Sequence, residues 1–420
     1  MGKNMRSLVL LYILVLCICT ACGPVGLPMA EPSPTRIATQ ASHAPSETAP
    51  VVLPTATSTP RLPSPTPMFE GIIDSVAIDQ QGKVYAGGYG ASWDGSKHFA
   101  QWDGEKWIAL GTRVASAGGN ALVTDSANGL YTTMITDPDQ GYATAMVRWD
   151  GAGWEDITGN FSTVVDALQA GRISSNIPVE ALAFDGEDHL YAAGSFQYPS
   201  ADHTLEWPMG FVAKRDQETW TVLGQGFDQV HIYAMAVSAA GKVYASGEQP
   251  RIPAGEYDGP AGFIAEWDGE TWTEIGTSEL DSCFNIRNLA LDKAGGLYAS
   301  CTRGEGGETI FYWDGTDWIT ITDQLQGEAP TLYDLVVDEN GHLYIGGSFD
   351  AVSGVPAHNI AYWDGKVWHA LGDSLTGQVY ALAFGPGREL YAAGLLMGAG
   401  GQYAGLAARW DGETWHALGP

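Results

Sequence analysis

Two tryptophans, Trp93 and Trp207, stand apart from the regular pattern of this sequence, and polar and aromatic residues gather around them. His98 follows the first; Tyr198, Asp202, His203 and Glu206 precede the second. Arg251, Glu256, Tyr257 and Asp258 form a third group. Aromatic faces mixed with carboxylates can stack on and hydrogen-bond a sugar, or grip a basic protein segment. The candidate ligand-binding residues are therefore Trp93, His98, Tyr198, His203, Trp207, Arg251 and Tyr257. Catalytic residues, a metal and a cofactor are not assigned. The nine His form no closely spaced metal motif. Asp137-x-Asp139-x-Gly141 begins like a calcium loop, but Gly141 replaces an expected ligand and no closing Glu follows in place.

The elements that must position these residues are repeats. From residue 72 onward a unit recurs that contains an apolar stretch, a turn, a Leu/Val-Tyr pair, a variable region, Trp-Asp-Gly-x-x-Trp and then Leu/Ile-Gly. Its tyrosine falls at Tyr85, Tyr131, Tyr191, Tyr244, Tyr298, Tyr344 and Tyr391. Its second tryptophan falls at Trp107, Trp154, Trp220, Trp272, Trp318, Trp368 and Trp415. Two independent markers thus give seven repeats, with a period and strand-like content that suit a propeller. Apolar stretches of about six residues, Gly-containing turns and an Asp-Gly hairpin predict four antiparallel strands per repeat. One such sheet buries too little alone, so the units must pack face to face in a ring. The fold class expected is all-β, a seven-bladed propeller. Its blades are placed at about 72–111, 118–159, 178–224, 230–276, 285–322, 331–372 and 378–419.

Thirteen of the 15 Trp occupy repeat positions, which assigns them to packing. The recurring acids are likewise read as turn formers: Asp103, Asp150, Asp268, Asp314, Asp364 and Asp411 before the hairpin Gly, and Asp79, Asp125, Asp185, Asp292 and Asp338 in the first turn. The order of apolar strand, Leu-Tyr-x-Gly-Gly, variable loop, aromatic-Asp turn and Trp resembles kelch repeats, as in the central domain of the galactose oxidase family. It is also similar to repeats of fungal cortical polarity markers and of bacterial surface proteins. The resemblance implies the architecture and almost nothing about activity. The diglycine is present at Gly87-Gly88 and Gly346-Gly347 but reads Ser246-Gly247 and Ser300-Cys301 elsewhere. Arg215-Asp216-Gln217 stands for Trp-Asp-Gly in the third repeat. No copper-site tyrosine–cysteine constellation carries over.

The first and third turns of each repeat are short and uniform, and the loops on the other face are long and dissimilar. Variable loops on a rigid scaffold are where binding usually resides, and Trp93 and Trp207 fall there. A propeller enzyme would instead bring acidic and basic side chains together from several first strands near the axis. Residues 164–168, between the second and third repeats, can form a short helix.

The chain has 420 residues, with 20 Lys and Arg against 49 Asp and Glu. All but three acids and four bases lie beyond residue 71, so the acidity belongs to the repeats. It disfavours nucleic acid, which needs a basic footprint. At the start, Lys3 and Arg6 precede an apolar run too short for a membrane span. The run ends in Cys19-Thr20-Ala21-Cys22-Gly23, which resembles a bacterial lipoprotein signal apart from Cys19, where that motif usually carries Leu. The resemblance implies removal of residues 1–21, lipidation of Cys22 and anchoring by several acyl chains. Residues 22–70 then form a Pro/Ser/Thr-rich linker that favours extended polyproline II and no core; 11 of the 22 Pro lie there. Cys283 and Cys301 remain in the repeats. Their strand ends meet at one face, so a disulfide is expected, although simple hairpin register from the turn near Ala294 sets them several residues out of line.

The expectation is a monomeric, membrane-anchored, extracytoplasmic binding or scaffolding module for a protein or carbohydrate ligand, touching the membrane through its lipid anchor only. The rival readings are an extracellular propeller hydrolase or lyase acting on glycans, and a structural envelope protein without a small ligand.

Overall fold

The computed structural model describes residues 72–89, 96–111, 114–115, 121–135, 144–169, 178–196, 208–250, 260–276, 280, 282–303, 307–372, 375–401 and 405–419. Nearly all of it is antiparallel sheet. Five sheets have four strands each in chain order, one has nine strands, and a small three-stranded sheet is inserted beside the sixth repeat. The nine-stranded sheet covers the first two repeats, which Val114–Ala115 joins by pairing with both Ser96–Trp102 and Leu130–Ile135. Among the described residues no helix is long and apolar enough to cross a membrane.

The first strands of the repeats, such as Ile72–Ile78, Val179–Phe184, His231–Val237 and Thr331–Val337, contact one another in chain order. The last of them, Thr376–Phe384, returns to contact Ile72–Ile78. The sheets therefore stand around an axis with their first strands innermost. Apolar clusters fill the gaps between adjoining sheets instead of forming one shared core. The gap between last and first repeats is filled in the same way, with Ile73, Val76 and Val84 against Ala381, Ala393 and Leu418.

The repeat motif has a physical role at every position. In six repeats the two tryptophans of Trp-Asp-Gly-x-x-Trp are cross-strand partners, as in Trp102 with Trp107 and Trp410 with Trp415, with ring centroids 5.3–5.6 Å apart. Such aromatic pairs contribute about 0.2–1 kcal/mol each. Between them the Asp closes the turn. Asp103 Oδ1, for instance, accepts the backbone N–H groups of Glu105 and Lys106, both at 2.8 Å. These bonds hold its carboxyl below the usual carboxylate range. In the first turn, Asp79 Oδ1 accepts from Gln81 and Lys83, and its Oδ2 accepts the Tyr85 hydroxyl. The recurring Asp and Tyr are thus one device, repeated at Asp125–Tyr131 and Asp185–Tyr191.

The second tryptophan also links neighbouring sheets. Trp154 Nε1 donates to the Leu110 carbonyl of the preceding repeat at 2.8 Å, and Trp272, Trp318 and Trp415 do the same to Leu223, Ile275 and Leu371. Trp107 donates to Leu418 at 3.0 Å, so the same bond joins the end of the chain to its first repeat. Two buried indoles, Trp220 and Trp368, make no such bond. Each follows an insertion: the short helix Phe161–Asp166 with its continuation Ala167–Gln169, and the strand Leu325–Gln326. Trp220 packs edge-on against Phe161 instead, with centroids 5.1 Å apart.

Cys283 and Cys301 form a disulfide with their Cα atoms 5.6 Å apart. The first strand here, Cys283–Leu291, carries two register shifts, between Cys283 and Asn285 and between Ile286 and Asn288. Each takes up one residue of slack, which corrects the simple hairpin register and brings the sulfurs together. Both cysteines are buried. Closing a loop with a sequence separation of 18 constrains the unfolded chain, so we expect Cys283→Ala/Cys301→Ala to cost about 3 kcal/mol. Urea denaturation of variant and parent checks this; an unchanged midpoint would show the bond to be thermodynamically silent.

A ring of bulged residues around the axial channel

The innermost strands share a local irregularity. Pairing with the second strand skips one residue between Ile73 and Ser75, Val179 and Ala181, Ile232 and Ala234, Ile286 and Asn288, Leu332 and Asp334, and Val379 and Ala381. The skipped residues are Asp74, Glu180, Tyr233, Arg287, Tyr333 and Tyr380. A β-bulge leaves its extra residue outside the ladder and re-aims the side chain. All six line one axial cavity of about 730 Å³. The corresponding stretch of the second repeat, 116–120, lies outside the described residues.

A glycine on the second strand accompanies five of the six bulges, and at each the backbone approach is close. A side chain on that glycine would put its Cβ less than 3.0 Å from the carbonyl oxygen of the residue two before the bulged one. At Gly88 that oxygen belongs to Ile72, at Gly194 to Pro178, at Gly247 to His231, at Gly347 to Thr331 and at Gly394 to Gln378. Glycine there lets the inner strand press against its neighbour while the next-but-one residue swings into the channel. The fifth repeat has Cys301 in that place, and its inner strand takes a second bulge and the disulfide instead.

The channel chemistry is mixed and uneven. Tyr333 and Tyr380 pack with ring centroids 4.5 Å apart, and the Tyr380 hydroxyl donates to Gln378 Oε1 at 2.6 Å. The Arg287 guanidinium lies 4.8 Å from the Tyr233 ring centroid, and its Nε donates to Asn285 Oδ1 at 3.2 Å. Burial, with the Glu248 carboxylate close by, raises the Tyr233 phenol well above its ordinary value. Burial also lowers the pKa of His231, helped by Arg287; its ring lies 4.4 Å from that of Tyr233.

Two carboxyls in the same cavity are driven towards neutrality. Asp334 keeps some contact with channel solvent, yet protein surrounds it deep between the sixth and seventh repeats. Desolvation pushes it up to about 7, against the backbone N–H bonds that it accepts from Leu382 at 2.7 Å and Leu335 at 2.8 Å. Glu308 is likewise raised by burial to about 7, although it accepts the Thr302 hydroxyl at 3.1 Å and feels the Arg287 charge. A carboxyl that titrates near neutral pH can donate a hydrogen bond or move a proton. Among the described residues no three His, Cys, Asp or Glu are grouped to hold a metal ion.

Of the sequence-based candidates, only His98 falls among the described residues. It lies half-buried on Ser96–Trp102, opposite Gly88. Trp93, Tyr198, His203, Trp207, Arg251 and Tyr257 lie outside them. The channel ring was absent from that set. Its signal in the sequence is a single polar or aromatic residue directly after the buried aliphatic of each first strand, as in Val179-Glu180 and Ile286-Arg287.

No family model and no curated protein matches this chain. Solved structures do. The β-propeller domain of the Trilobed protease from Pyrococcus furiosus aligns with a TM-score of 0.52 at 10% identity, over 82% of this chain and 97% of that one. The fold is that of a β-propeller. Pyrococcus horikoshii acylaminoacyl peptidase gives a TM-score of 0.53 at 10% identity, over 82% of this chain and 52% of the peptidase, so the propeller spans about half of that enzyme. At such identity the likeness establishes the fold alone.

Proposed function

We propose that this chain is a surface-anchored, extracytoplasmic, seven-bladed β-propeller of kelch-like repeats that serves as a binding module, holding a carbohydrate in its axial channel. Seven follows from the repeat markers, with the nine-stranded sheet divided into two four-stranded blades bridged by Val114–Ala115. The anchor follows from Lys3, Arg6, the apolar run and Cys22, and the linker at 22–70 sets the propeller away from the membrane. A buried disulfide suits an oxidising compartment. The protein acts as a monomer without nucleic acid or cofactor.

The observation that carries the reading is the convergence of six bulged residues on one cavity. Their rings and charged groups suit the faces and hydroxyls of a sugar. Glycan-array screening followed by calorimetry tests it. Tyr333→Ala and Tyr380→Ala are each expected to weaken the best glycan about 2- to 13-fold, given about 0.5–1.5 kcal/mol for a stacking aromatic, with melting unchanged. Unaltered affinity in both variants would defeat the channel reading and leave a protein partner on the variable-loop face as the better account.

Glu308 and Asp334 favour one second reading, a glycan hydrolase or lyase, because both titrate near 7 inside the cavity. Time-dependent release of glycan ends that disappears in Glu308→Gln would establish it.

A further inference from the structure

The channel holds a guanidinium that makes no ion pair among the described residues. Bases are scarce in this chain, 20 against 49 acids, and several described ones are paired: Lys214 with Asp185, Lys242 with Glu266, Arg388 with Glu339. Arg287 differs. Among the described residues no carboxylate lies within ion-pair distance of it, and its fixed partners are neutral, the Asn285 amide oxygen and the Tyr233 ring. Glu308 shares the cavity and feels the Arg287 charge from beyond ion-pair distance, its own hydrogen bond being accepted from Thr302. Arg287 is exposed while Asn285 and Ile286 beside it are buried, and the space it faces is the channel that it lines.

Tethering through Nε and stacking on a ring fix the plane of a guanidinium while sparing its terminal nitrogens. That is the arrangement suited to bidentate binding of a planar oxyanion. Asp74, Glu180 and Asp334 line the same cavity. A dianion such as phosphate meets roughly twice the repulsion from such neighbours that a single carboxylate meets. The adjacent tyrosine pair, Tyr333 and Tyr380, offers an apolar face for the remainder of the ligand.

We propose that Arg287 is the carboxylate-recognising residue of the channel and that the ligand is an acidic sugar, a uronic acid or an oligosaccharide containing one. The inference rests on the channel's being a carbohydrate site. The full-length protein is titrated calorimetrically with galacturonate, glucuronate and mannuronate oligosaccharides and with their carboxyl-reduced counterparts. A charge-assisted bidentate contact predicts that at least one acidic oligosaccharide binds about 10- to 100-fold more tightly than its reduced form. Arg287→Gln should abolish that preference, bringing the acidic and reduced forms to equal affinity whatever general loss it causes, and Arg287→Lys should restore part of it. Melting curves of both variants confirm the fold. Equal affinity for acidic and reduced sugars, or a preference that survives Arg287→Gln, overturns the role of Arg287 and leaves the channel site standing. Failure of every acidic and reduced oligosaccharide to bind overturns both.

Discussion

Gly247→Ala should destabilise the protein by at least about 3 kcal/mol, far more than an alanine in an exposed hairpin turn. The added Cβ would fall less than 3.0 Å from the His231 carbonyl oxygen and close to the Ile232 Cα. Both are backbone atoms of a strand packed between two sheets, so neither can turn away as a flexible side chain would. Either the bulge at Tyr233 is lost, or the first and second strands of that sheet separate. Gly269→Ala is the control. Gly269 has φ +109°, and a Cβ added there would meet nothing within 4 Å, so the substitution incurs only backbone strain, about 1–2 kcal/mol. Urea denaturation of the two variants decides the matter. Equal losses would mean that the bulge yields easily and that the glycine facing it does not position the channel residues.

Deleting residues 378–420 should abolish the soluble folded monomer. The last repeat closes the ring: Thr376–Phe384 and Leu390–Gly398 pack on Ile72–Ile78, and Trp107 is bonded to Leu418. Without it, Ile73, Val76, Ile78 and Val84 lose the partners that bury them. At about 1.5–3 kcal/mol for each large aliphatic, their exposure alone costs on the order of 6–12 kcal/mol. A domain's entire stability is about 5–15 kcal/mol. The opposite flank, at Val336, Tyr344, Ile360 and Tyr362 in the sixth repeat, loses the seventh-repeat residues that it packs against. Size-exclusion chromatography with near-ultraviolet circular dichroism should show aggregate or a molten species. A monomer with native tertiary signals would mean that the sheets stack as an open array and need no closure.

These expectations depend on features that the sequence reveals unequally. The tryptophan pairs, the turn aspartates and the strand order were legible because each depends on a short fixed spacing, such as Trp-Asp-Gly-x-x-Trp. The role of Leu/Ile-Gly was half legible. The motif recurs, but its partner, the indole of the next repeat, lies over forty residues away, as Trp154 does from Leu110. The bulges were not legible. Strand patterns alternate with period two, and one extra residue reads as a break in the alternation, so Glu180 or Arg287 passes for an isolated polar residue in an apolar run. The same blindness set Cys283 and Cys301 out of line. The variable loops drew the functional reading outward to Trp93 and Trp207, because loop length is visible in a sequence and convergence on an axis is not.

The central claim is that the bulged inner-strand residues form a sugar site within the channel. Its most direct test is a crystal structure of the protein with the tightest-binding oligosaccharide from the array. The account predicts sugar density inside the cavity, against the Tyr333–Tyr380 pair and within hydrogen-bonding distance of the Arg287 guanidinium. Sugar bound solely at the loop rim, with the axial cavity holding only solvent, would contradict it.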